Sequence, residues 1–160
     1  MALMAPQMQG KDAVFGALAQ CYVTIGGQRY NFAHATQLEA KAEKNKVEVD
    51  ILGTTTKGNK AAGVKYTGSM TMHYNQSIFR KMMYQYQKDG TDAYFEIQVT
   101  NSDPTSAVGD QTITLKNCNL DDCIIAKFDA TGEILDEEVN FTFEKFSIDA
   151  SFADLDVLNK

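Results

Sequence analysis

The 160-residue chain predicts a single, mainly antiparallel β domain, a β-sandwich or partial barrel, with one flanking α-helix. Three observations lead there. Apolar and polar residues alternate with period two in successive runs, the pattern of strands with one buried face. One stretch alone, from Asn75 to Gly90, carries its apolar residues at helical spacing. A hydrophobic content of 44% and a charged content of 22% are ordinary for one globular domain of this length. The expected boundaries are an arm over 1–19, a folded domain over 20–150 and a tail over 151–160.

In "CYVTIGGQRYNF", Gly26-Gly27 separates two β-rich runs and predicts a hairpin, because both central residues of a type I′ turn need positive φ. In "ATQLEAKAEKNKVEVDIL", Leu38, Ala40 and Ala42 alternate with charges, and then Val47, Val49 and Ile51 do so on the opposite phase. A period of two cannot change phase without a bulge or bend, so a long bent strand or two strands in line are expected. "VKYTGSMTMHY" alternates cleanly, with Val64, Tyr66, Gly68, Met70 and Met72 on one face. In "NQSIFRKMMYQYQKDG", Ile78, Phe79, Met82, Met83 and Tyr86 share an arc of about 140° at 100° per residue, a helix face that covers a sheet. Asn75 or Ser77 can cap its start and Gly90 its end. Strands are expected in "AYFEIQV", in "QTITLKNCNLDDCII", which loses phase around Asn117–Asn119, and in "DEEVNFTFEKFSI", whose phase shifts to Phe146 and Ile148 as at a bulge. "NSDPTSAVGD" reads as a surface loop.

Several function classes fall away. "ILGTTTKGNK" holds G-x-x-x-x-G, but Asn59 stands where a phosphate-binding loop needs lysine, and the loop leads into a strand rather than a helix N-terminus. Three cysteines without a C-x-x-C pair, and two histidines in all, do not suggest a metal site. Adjacent acids such as Asp121-Asp122 and Asp136-Glu137-Glu138 read as solvated turns and strand ends, and no catalytic or cofactor motif emerges. No apolar run reaches the ~18 residues of a membrane helix, and the N-terminal stretch lacks the basic start of an export signal. A net charge of −6 does not suit a general nucleic-acid binder. Charge is uneven, however: Gly53–Tyr66 carries three lysines and no acid, whereas Leu120–Lys160 carries eleven acids and three bases.

The strand face opposite the expected core reads Glu39, Lys41, Glu43; Lys65, Thr67, Ser69, Thr71; Thr112, Thr114, Lys116; Glu138, Asn140, Thr142, Glu144. It holds no large apolar side chain, and strands this long leave edges that invite another chain.

In that order, "LEAKAEKNKVEVDILG", the Lys/Gly/Thr-rich loop, "KYTGSMTMHY" with its following helix, and "EILDEEVNFTFEKFSI" resemble the tail tube proteins of contractile phage tails, above all their PBSX-like branch. The likeness runs from Val23 to Ile148. It implies a non-enzymatic subunit without cofactor, forming six-membered rings that stack into a tube, with strands of each copy completing an inter-subunit β-barrel. The polar face would line the lumen. The loop bearing Gly53, Lys57, Gly58, Lys60 and Gly63 would reach an acidic patch on the adjacent ring. DNA would be a transient passenger, and sheath, baseplate, tape-measure and terminator proteins would be partners. Such a protein assembles in the bacterial cytoplasm without a membrane anchor and ends in a virion tail or a released phage-tail-like bacteriocin. A monomeric β-sandwich binding module using the Met/Tyr helix surface is the alternative.

Overall fold

The computed structural model describes residues 7–153. After one 3-10 turn at Gly10–Asp12, the elements are β1 (Ala19–Ile25), β2 (Gln28–Asn31), β3 (Ala35–Val49), β4 (Gly58–His73), α1 (Ile78–Asp89), β5 (Tyr94–Ser102), β6 (Asp110–Asp122), β7 (Asp136–Thr142) and β8 (Lys145–Ala150). Strands pair antiparallel and one α-helix accompanies them, as the alternation predicts. The described residues group into two compact units, 7–33 with Phe95–Lys116 and 146–153, and His34–Tyr94 with Asn117–Lys145.

In the first unit β1 pairs with β2 and β5, β5 neighbours β6, and β8 pairs with β6. Gly26 and Gly27 take φ of 60° and 82°, the hairpin geometry their sequence predicts. Val23, Phe32, Phe95, Ile97 and Leu115 form the core here, all at most 4% exposed. The stretch expected as an arm is tied down from Lys11 to Leu18. The Phe15 amide donates to the buried Asp103 carboxylate at 3.0 Å, Ala107 N–H to Lys11 O, and Ser102 N–H to Leu18 O. The remaining expectation for the arm at residues 1–6, and for the tail at 154–160, lies outside the described residues.

The second unit holds β3, β4, β7, the end of β6 and α1, around Met70, Met72, Phe79, Cys118, Val139, Phe141 and Phe143. Here β3 is one strand of fifteen residues, and the irregularity falls where its apolar phase switches: Asn45 faces Gly63 and Lys46 faces Ala61, leaving Ala62 of β4 as the extra residue. Asn117, at the predicted loss of phase in β6, has φ 54°, and burial passes from Leu115 to Cys118 across it. The predicted bulge before Phe146 is instead a break. β7 ends at Thr142, and β8 starts at Lys145 and pairs with β6. Phe146 and Ile148 are 43% and 59% exposed, so their alternation does not mark a core face.

Candidate functional site

The register of β3, β4 and β7 turns most of the polar residues singled out in the sequence into one ordered patch. Lys41, Thr67 and Thr142 stand side by side, as do Glu39, Ser69 and Asn140; Glu43 faces Lys65, and Thr71 faces Glu138. β6 extends the rows, with Asn119 opposite Thr142 and Asp122 opposite Asn140. Asn140 donates to Asp122 from its backbone and from its side-chain amide, at 3.2 and 3.1 Å. A shallow depression of about 350 Å³ opens there, lined by Glu39, Lys41, Thr67, Ser69, Asp121 and Asn140. Glu144 accepts from Asn117 Nδ2 at 3.2 Å. Acids outnumber lysines on the patch. Asp121 and Asp122 join it because the ladder skips Asp121 between Leu120 and Asp122, a rearrangement that alternation does not reveal.

Thr112, Thr114 and Lys116 belong to the first unit. Thr112 shares a hydroxyl contact of 3.1 Å with Thr100, and Thr114 Oγ1 donates to Asp149 at 2.5 Å. The Thr114 hydroxyl, then that of Ser147, holds the Asp149 carboxyl below its ordinary range.

The expected loop proves shorter than its glycines imply. β3 and β4 stay paired to Val49 and Gly58, so the connection is residues 50–57, and Gly58, Lys60 and Gly63 lie within β4. A Cβ at Gly58 would come within 3.1 Å of Ile51 Cδ1; this glycine lets the turn fold back on itself. Gly53, at φ 88°, supplies the turn, and Lys57 Nζ meets Asp50 at 2.7 Å rather than standing free.

Pairing of β4 with β7 stops at Thr67, leaving the rest of β3 and β4 as a two-stranded ribbon. Beyond Leu38, every residue of β3 is exposed. Val47, Val49, Ile51 and Val64 are 42–52% exposed, so the alternation does not mark a face buried within this chain. The outer edge of β3 carries no partner among the described residues.

Residues 6–149 match the family model described as phage tail tube protein. The chain belongs to that family. It is 40% identical over 122 residues to the phage-like element PBSX protein XkdM of Bacillus subtilis (strain 168), covering 76% of this chain and 83% of the relative. Its fold is similar to a chain in the cryo-EM structure of the anti-feeding prophage tube-terminating cap, with TM-score 0.65, 13% identity, and coverage of 94% of this chain and 100% of that one. A chain of an extracellular contractile injection system sheath–tube complex in the extended state gives TM-score 0.60 at 12% identity, over 82% and 88% of the two chains. This is thus a structural phage-tail component. No helix among the described residues is long and apolar enough to cross a membrane, and none of their His, Cys, Asp and Glu side chains form a group of three or more placed to hold a metal ion.

The helix of this tail tube protein packs differently from its helical wheel. Phe79 is buried, and Ile78, Met82 and Met83 are half-buried. Tyr86, expected in the core face, is 54% exposed, because the helix covers the sheet only at its first turns. Gly90 caps it at φ 74°, while Ser77 occupies the N-cap without a side-chain cap bond. Arg80, which lies outside the apolar arc of the helix, turns inward. Its guanidinium donates to Glu137 at 2.5 Å, to the Ile124 carbonyl and to the Gln76 carbonyl, and lies 4.4 Å from the Tyr74 ring centroid. Glu137, read from sequence as one of three solvated acids, is 4% exposed. Its even companions face water, and that phase was the available signal: Glu137 shares parity with Val139 and Phe141.

Proposed function

We propose that six copies of this tail tube protein close into a ring, and that rings stack into the inner tube of a contractile tail. The observation that carries this is the ribbon formed by β3 and β4 beyond Thr67. A two-stranded ribbon is marginal in water on its own, and this one exposes Val47, Val49, Ile51 and Val64 along a fifteen-residue edge strand. A neighbouring copy resolves both problems, pairing with the open edge and covering the apolar side chains. Strands from successive copies then complete a barrel that has no free edge.

The registered face of Glu39, Lys41, Glu43, Lys65, Thr67, Ser69, Thr71, Glu138, Asn140 and Thr142 becomes the lumen wall, with Glu144 just after β7 and with Thr112, Thr114 and Lys116 of the first unit. Acids and hydroxyls in excess over lysines give phosphates few counter-charges, so a passing DNA is not retained. The turn around Gly53 and Lys57, with Gly58, Lys60 and Gly63 in the adjoining strand, meets the next ring. The tube assembles in the bacterial cytoplasm, with sheath, baseplate, tape-measure and terminator proteins as partners, and performs no catalysis. The same wall serves DNA ejection in a phage and membrane puncture in a headless phage-tail-like particle.

Negative-stain electron microscopy of the purified chain over a concentration series, with sedimentation, tests the reading. Six-fold rings or hollow tubes are expected. A chain that stays monomeric when concentrated and seeded with tail baseplates would instead be a monomeric binding module.

A further inference from the structure

Beside α1 lies a recess of about 240 Å³ that the chain's own packing leaves open. Met82 and Met83 of the helix and Leu120 of β6 line it, Tyr86 forms a wall, and Asp92 and Asp121 are acidic members of its lining. The carboxylate of Asp92 is held in place by the Asn119 amide at 2.8 Å. A helix whose apolar arc points at a sheet normally buries that arc; here only Phe79 is fully buried. Methionines suit such a site, since an unbranched thioether adapts to an incoming side chain. The volume exceeds the roughly 150 Å³ of an apolar cavity that accepts benzene, so one branched aliphatic side chain fits.

The chain also carries an apolar side chain with nothing of its own packed over it. Leu52, at the β3–β4 turn, is 103% exposed, the most exposed large apolar residue among those described. Its turn is preorganised rather than loose. Asp50 holds Lys57, Ile51 folds over Gly58, and the Thr54 hydroxyl accepts from Thr56 N–H at 3.1 Å. Just below the turn, Lys60 stands opposite Val47 in the ladder, with no acid across from it.

We propose that the recess beside α1 is the socket for the β3–β4 turn of a second copy, with Leu52 entering between Met82, Met83 and Tyr86 and Lys60 approaching Asp92 and Asp121. This names the partner surface of the ribbon and rests on the assembly reading above. Leu52 meets the side chains of Met82, Met83 and Leu120 in a recess whose lining is otherwise largely polar, and a lysine-bearing stem meets its acidic members. Because turn and socket are different surfaces, the contact is heterologous and propagates from copy to copy.

The test mixes two full-length single variants, Leu52→Cys and Tyr86→Cys, assembles them together and oxidises the tubes mildly. Both positions are exposed in the subunit, and neither variant alone nor the wild type can form the 52–86 link. A disulfide-linked dimer in the mixture only, mapped to 52–86 by peptide mass spectrometry, is the expected result. Tubes that form without that link overturn the socket while leaving the tube reading intact; absence of rings and tubes from the wild type overturns both. As a second measurement, Leu52→Asp should raise the concentration needed for half-maximal sedimentation about tenfold or more, with the thermal midpoint of the unassembled subunit unchanged. An unchanged assembly concentration overturns the proposal.

Discussion

Replacing Gly68 with alanine should destabilise the subunit, although a glycine in a strand interior ordinarily costs stability relative to alanine. Gly68 pairs with Ala40 on one side and Phe141 on the other. A Cβ built there would lie 2.5 Å from Phe141 Cζ, 2.6 Å from Cε2 and 3.1 Å from the Glu39 carbonyl oxygen. Carbon atoms settle at about 3.5–4.0 Å, so the overlap is roughly 1 Å. The ring has nowhere to retreat. Phe141 is 1% exposed and 6.3 Å from Phe143, whose ring stacks 5.1 Å from Tyr66. Overpacking of this kind costs about 1–3 kcal/mol, and the reduced freedom of the unfolded chain returns about 0.4–1 kcal/mol. The net loss is about 1–2 kcal/mol, or roughly 2–8 °C in thermal midpoint for a chain of this length. Urea and thermal unfolding of the unassembled subunit measure it. Phe141→Leu, costly alone, should cost less in the Gly68→Ala background, with a coupling above about 0.5 kcal/mol. A midpoint equal to or above wild type, or strictly additive effects, would refute the packing argument.

Three further predictions follow from named contacts. Arg80→Met leaves Glu137 buried without its counter-charge and should cost about 3–5 kcal/mol in urea unfolding, whereas Arg80→Met with Glu137→Met should cost less than the single change. Burial, and then the charge of neighbouring His73, hold His34 below its ordinary imidazole value, so the fold favours the neutral ring. That contribution is complete above pH ~6.5 and is lost as pH falls below it; the unfolding midpoint should drop between pH 7 and 5.5, and His34→Gln should flatten the drop. Finally, Ser69→Lys with Asn140→Lys places cations on the wall of an assembled tube. Such tubes should retain a fluorescent oligonucleotide at low salt and release it as salt rises, and binding no greater than wild type would remove those residues from the lumen.

What could be read in advance depended on whether a residue's role is local. The Gly26-Gly27 hairpin, the phase breaks at Lys44–Lys46 and Asn117, and the Gly90 stop are matters of backbone geometry within a few residues, and each sits where its sequence says. The polar rows were legible because alternation assigns a face before the partner strand is known; register then set Lys41 beside Thr67 and Thr142. Errors arose where the same pattern has two physical causes. Val47, Val49, Phe146 and Ile148 alternate as core residues do, yet remain exposed because no layer of this chain covers them. Tyr86 shares the apolar arc of α1 but extends past the ground the helix covers. Arg80 and Glu137 look solvated singly, yet Glu137 is buried against a half-buried Arg80, a pairing that a one-dimensional reading of charge does not detect.

By itself, then, the sequence determined the antiparallel class, the single helix and the family, because side-chain period, turn chemistry and motif order are properties of the chain read along its length. Tertiary structure alone decided where the β3–β4 turn ends, that the strand after Thr142 breaks, that Asp121 and Asp122 join the polar patch, and that a recess stays open beside α1. Those outcomes depend on which strand pairs with which, and on whether anything packs above a given face. Both are settled by contacts between residues far apart in sequence, where the period of any one segment carries no information.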